Sequence, residues 1–114
     1  MGNSYININP YDNRLNVKIE GSFSRQDTRE FFKEYNKEIH LIPVSEYDIE
    51  VDCTDLIIEN DEQVPLLEKI YHTFNEDGFN KILFIVKKSS VSYQRSFIES
   101  IKKVHLPQFQ LKEV

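Results

Sequence analysis

The stretch Glu50–Ile70, EVDCTDLIIENDEQVPLLEKI, concentrates the side chains best able to do chemistry. Asp48, Glu50 and Asp52 alternate with apolar residues, so on a strand the three carboxylates share one face. Asp55, Glu59, Asp61 and Glu62 follow within a short connection. Paired carboxylates can act as general acid and base, but one of them then needs a partly dry pocket that raises its pKa. A solvated strand face does not supply that pocket. A calcium loop needs several oxygen ligands around a sharp glycine turn, and DCTDLIIENDE has neither the glycine nor the spacing. The expectation is no catalytic residue, no metal ligand and no cofactor in this stretch.

The remaining reactive residue types point the same way. His40, His72 and His105 stand in separate segments, none with a second histidine or a cysteine at ligand spacing. Cys53 falls on the apolar side of its strand, which predicts a buried, inert thiol. There is no GxGxxG, no P-loop and no nucleophile elbow. Ser89 and Ser90 follow an apolar run and precede a helical pattern. They read as N-caps, at a place where the helix dipole also favours an anion or a phosphoryl group.

These residues must be held by one small domain, residues 1–114. Hydrophobic residues form 39% of the chain, enough for a single core. The net charge of -5 argues against a nucleic-acid partner, whose phosphates require a basic surface. From Glu38 through Glu68 there is no Lys or Arg, and ten of the 19 acidic residues fall there. Lys81, Lys87, Lys88, Arg95, Lys102, Lys103 and Lys112 populate the C-terminal third. Such polarity suits a solvated sheet face, a surface that steers a basic partner, or a head-to-tail self-contact. A single cysteine and an N-terminus unlike a signal peptide give a cytoplasmic expectation, and no apolar run is long enough to span a membrane.

Hydrophobic periodicity gives the order of elements. Tyr5–Ile8 and Arg14–Gly21 alternate about an Asn-Pro-Tyr-Asp-Asn turn and form a hairpin. Residues 24–42 make a helix capped by Ser24, with Phe31, Phe32, Tyr35 and Ile39 as its apolar stripe. Tyr47–Cys53 alternates strictly. Residues 61–78 form a second helix, with Asp61 as N-cap, Glu62 at the positive end of the dipole, Pro65 in the first turn and Gly78 as the stop. Residues 81–88 are apolar on both faces, which marks an interior strand. Residues 89–104 form a third helix with Tyr93, Phe97, Ile101 and Val104 on its stripe. Residues 109–114 are a last short strand or a tail packed on the sheet. The order is an α/β arrangement with a mixed sheet of four to five strands. Two of the main strands carry charge on every second residue, so the three helices should pack mainly on one face.

This order resembles the STAS domain, the fold of the anti-sigma-factor antagonists, from about Leu15 to Val104. Asp52-Cys53-Thr54 matches the family's Asp-Leu-Ser pattern at the strand end. Asn60-Asp61-Glu62-Gln63-Val64 matches its Asp-Ser-Ser-Gly-Leu opening of the next helix, and NEDGFNKILFIV is similar to the helix end, glycine and strand that follow. In the antagonists the first serine of that motif is phosphorylated by a partner kinase. Here the position is Asp61, which has no hydroxyl. Its single charge falls short of the roughly -1.5 to -2 of a phosphoserine.

The resemblance implies a non-enzymatic protein-interaction domain of a bacterial partner-switching system. Its partner would be another protein, basic-surfaced or kinase-like, with no nucleic acid and no membrane involved. Asp55, Asn60, Asp61, Glu62, Gln63, Ser89 and Ser90 would form the partner-binding face. The alternative is a structural or assembly subunit, of phage type, that acts by homo-oligomerisation. Some members of the resembled family bind nucleotides, which adds a ligand sensor as a third class.

Overall fold

The structure, a computed structural model, describes residues 2–88, 94–103 and 108–114. Five strands form one mixed sheet in the order β1 (Asn3–Asn9), β2 (Arg14–Glu20), β3 (Asp48–Asp52), β4 (Ile82–Val86), β5 (Phe109–Glu113). β1 runs antiparallel to β2, and the other three pairs are parallel. The C-terminal segment is therefore a strand, paired from Ile82↔Phe109 to Val86↔Glu113. β1 extends beyond the alternating Tyr5–Ile8, because hairpin pairing gives Asn3 and Asn9 partners in Glu20 and Arg14.

Three helices connect the parallel strands: α1 (Arg25–Ile39), α2 (Gln63–Asp77) and α3 (Arg95–Lys102). Each crossover steps to the next strand in the same direction. Crossovers of one hand stepping one way leave every helix on the same face of the sheet. Burial agrees with that geometry. Leu15, Val17 and Ile19 of β2, Ile49 and Val51 of β3, and Ile82, Phe84 and Val86 of β4 are buried, while their alternates are half-exposed. β4 is interior in its pairing, yet Leu83 and Ile85 lie among the polar residues of the open face rather than under a second layer.

The covered face meets one continuous core. Phe31 and Tyr35 of α1, Leu67, Ile70, Tyr71 and Phe74 of α2, and Phe97, Ile98 and Ile101 of α3 complete it. Phe31 stacks on Tyr35, and Phe74 packs edge-on to Phe31 with ring centroids 6.1 Å apart. Ser24 caps α1 in a reciprocal box with Asp27. Gly78 ends α2 in the left-handed region at φ 86°. The expected third helix began at Ser89 and ended at Val104. Ser89, Ser90, Tyr93 and Val104 lie outside the described residues, and the described part of the helix runs from Arg95 to Lys102.

Candidate functional site

The parallel strands deliver three loops to one end of the sheet, the end where open α/β sheets place their binding crevices. Residues 53–62, between β3 and α2, hold the acidic cluster. The strand end closes locally: the Asp52 carboxylate accepts hydrogen bonds from the Thr54 N–H at 2.9 Å and the Thr54 hydroxyl at 2.6 Å. Backbone bonds then fasten the loop to the end of β2. Gly21 N–H donates to Asp55 O, and Ile57 N–H donates to Gly21 O. Leu56 is buried between them.

The opening of α2 differs from the expected cap in one respect. Asp61 does not cap the helix. The N-cap position is Glu62, which makes no side-chain cap bond; in the turn ahead of it Asn60 Oδ1 accepts from the Glu62 N–H at 3.0 Å, and Gln63 Oε1 accepts from the Asn60 N–H at 3.2 Å. The two side chains together close the turn that leads into α2. Gln63 also accepts from the Glu59 N–H, and its Nε2 donates to Ser22 Oγ and to Phe23 O. Gln63 is thus buried beneath the turn, as a brace rather than a contact residue. Its spacing from Asn60 was the one signal of this role in the sequence.

A second buried amide, Gln94, braces the other side. Its Nε2 donates to Cys53 O at 3.2 Å and to Leu56 O at 2.6 Å. Nothing in the sequence marks Gln94, because the contact joins residues far apart in the chain. Ser89 and Ser90, proposed from sequence for the same face, lie outside the described residues.

The carboxylates divide into two groups. Those on the open sheet face and at the start of the loop have partners. Arg14 lies 3.8 Å from Glu50, Asn80 donates to Asp48, and Lys18 meets Asp55 at 3.0 Å. The Lys18 hydrogen bond and charge hold the Asp55 carboxyl below its ordinary pKa, and Asp55 raises that of Lys18. Glu59, Asp61 and Glu62 are exposed, and among the described residues none of them forms an ion pair. Ile57, 54% exposed, stands beside them in the same loop. A groove of about 630 Å³ separates this turn from the start of α1 and is lined by Ser22, Arg25, Glu59, Asn60, Glu62 and Leu66 among others.

Among the described residues no three His, Cys, Asp or Glu side chains gather to hold a metal ion, and no helix is long and apolar enough to cross a membrane. Cys53 is fully buried, and burial, aided by the Asp52 charge, pushes its thiol pKa far up. His40 is exposed at the end of α1 with its ring nitrogen against Asn36 O, and His72 is exposed on α2. His105 lies outside the described residues. No protein-family model and no curated protein matches the chain.

Proposed function

We propose that the chain is a non-enzymatic domain that binds another protein through the Asp55–Glu62 turn and the adjoining groove. The observation that carries this is the combination of three exposed carboxylates that form no ion pair among the described residues and an exposed isoleucine on a backbone braced from within. Carboxylates left without cations steer a basic surface and fix its orientation, and an apolar side chain at their centre gives it something to bury. Bracing lowers the ordering cost of association. Asp55 stands at the rim, already neutralised by Lys18. Asn60, Asp61 and Glu62 present the contact surface, and Gln63 holds it from below. Ser89 and Ser90, which the sequence reading adds to this face, lie outside the described residues.

The sequence resemblance to the STAS domain supports reading such a face as part of a cytoplasmic partner-switching system, with a basic-surfaced or kinase-like partner. Asp61 at the matching position removes the serine switch, so association would be governed by partner supply and ionic strength. The test is capture of partners from an extract of the source organism by the immobilised chain. Asp61→Lys combined with Glu62→Lys should lose most of the captured partner, and raised salt should weaken capture by the parent chain. Equal capture by the reversed variant would overturn the proposal.

A further inference from the structure

The two edges of the sheet are unlike. β5 is five residues long and ends in the charged pair Lys112 and Glu113. Charges on an edge strand are a common defence against pairing with another chain. β1 is seven residues long, NSYININ, with no charge, no proline and no bulge in its pairing to β2. It carries none of the usual defences. Every second residue of such an edge turns its N–H and C=O away from its neighbour.

The core also stops short beneath β1. Val17 and Leu15 are 2% and 0% exposed, whereas their register partners Ile6 and Ile8 are only half-buried. The strand is held out straight at both ends. Gly2 N–H donates to the Asp27 carboxylate at 3.1 Å, where a Cβ on Gly2 would stand 2.5 Å from Phe23. At the other end Asn9 Oδ1 accepts from the Tyr11 and Asp12 N–H groups.

We propose that the β1 edge pairs with the β1 edge of a second copy of this chain, antiparallel across a two-fold axis, to give a continuous ten-stranded sheet. An uncharged strand meets no like-charge clash with itself in any register. Pairing extends the rows of Ile6 and Ile8 into those of the second copy and covers what α1 leaves open. The groove between β1 and α1 is lined by Asp27, Glu30, Lys33 and Glu34, so its rim is net acidic and Lys33 of each copy must meet carboxylates of the other. An edge pair alone falls short of the roughly 800 Å² per partner of a stable interface, so the α1 flank must contribute to the contact. Closure follows from the difference between the edges: once β1 is paired, only the charged β5 edges remain, and assembly stops at two copies.

This edge is distinct from the acidic turn, so the two proposals fail separately. The test is light scattering of the intact chain over a range of concentrations. The mass should rise toward twice that of one chain, and the Asn3–Asn9 amides should exchange more slowly as it does. Asn3→Lys with Asn7→Lys places like charges across the pair on exposed positions, and should return the mass to one chain with thermal unfolding still cooperative. Gln110→Lys on β5 should leave the doubled mass intact. A parent chain that stays single at every concentration, a doubled mass that survives the β1 lysines, or one abolished by Gln110→Lys would each overturn the proposal.

Discussion

Gln63 Nε2 lies 3.2 Å from Phe23 O while Gln63 Oε1 lies 3.2 Å from the Asn60 nitrogen, so one buried amide ties the start of α2 to the loop before α1. Removing it leaves buried backbone groups on both sides without partners. Gln63→Leu should therefore cost about 2–4 kcal/mol, since each orphaned group costs roughly 1–3 kcal/mol and water recovers part of the loss. Urea unfolding should show the midpoint shift with an unchanged slope. Gln63→Glu keeps the two acceptor bonds, loses the donation to Phe23 O, and should fall between the parent and the leucine variant. A neutral Gln63→Leu would mean that the turn is not braced from within.

Asp27 contributes to the acid limb of stability from a buried position. Burial alone would raise its pKa, but the backbone N–H groups of Ser24 and Gly2 and the Ser24 hydroxyl outweigh that and hold the carboxyl below its ordinary value. A depressed folded pKa adds stability that is fully present above the unfolded pKa, near 4, and is lost as pH falls through the folded value. Asp27→Asn should cost about 1 kcal/mol at neutral pH, as loss of a capping contact does. Below pH 4 the parent and the variant should converge. Urea midpoints measured down the acid limb check this; parallel curves would exclude Asp27 as the titrating group.

Much of this fold is legible in the chain because its strands alternate so strictly. Leu15, Val17 and Ile19 against Asn16, Lys18 and Glu20 already say which face is covered, and Ile49 and Val51 repeat the message on β3. The stripes of α1 and α2 and the caps at Ser24 and Gly78 are equally local signals. What the residues could not reveal was the role of the polar side chains that fold inward. Asp61 is a good cap by type, yet α2 starts two residues later and Gln63 reaches back from a buried position to hold the turn before it. The pairing of β5 also stayed open, because a five-residue segment after a helix is equally compatible with a tail. The Lys18–Asp55 ion pair likewise joins residues far apart in the chain and needs β2 beside the loop.

Cys53 should behave as a core residue. It is wholly buried and continues the apolar row of β3, and burial raises its thiol pKa well above the usual range. The thiolate that reacts with disulfide reagents is then almost absent in the folded chain. At pH 8 a chromogenic disulfide should label the native chain only at the rate of opening, and label it at once in denaturant. Oxidants should leave the native chain free of intermolecular disulfides. Fast native labelling would place the thiol at the surface and displace the register of β3.

Tyr35 contributes to the alkaline limb of stability, beside Cys53. It is fully buried in the aromatic core, and its hydroxyl donates to the Asp77 carboxylate at 2.6 Å. Burial first, then the Asp77 hydrogen bond and charge, raises its pKa far beyond the ordinary value. For a group whose folded pKa is raised, the contribution is fully present below the unfolded pKa, near 10, and drains away as pH climbs above it. The parent should therefore lose stability above about pH 10 as the unfolded chain ionises. Tyr35→Phe keeps the ring stacked on Phe31 and loses only the bond to a carboxylate, about 1–3 kcal/mol at neutral pH. The phenylalanine variant should have a flatter alkaline limb, so that the two curves approach each other as pH rises. Thermal melts between neutral pH and the alkaline transition measure both effects in one series. If the gap between parent and variant instead widens with pH, the Tyr35–Asp77 contact is not what holds the hydroxyl protonated.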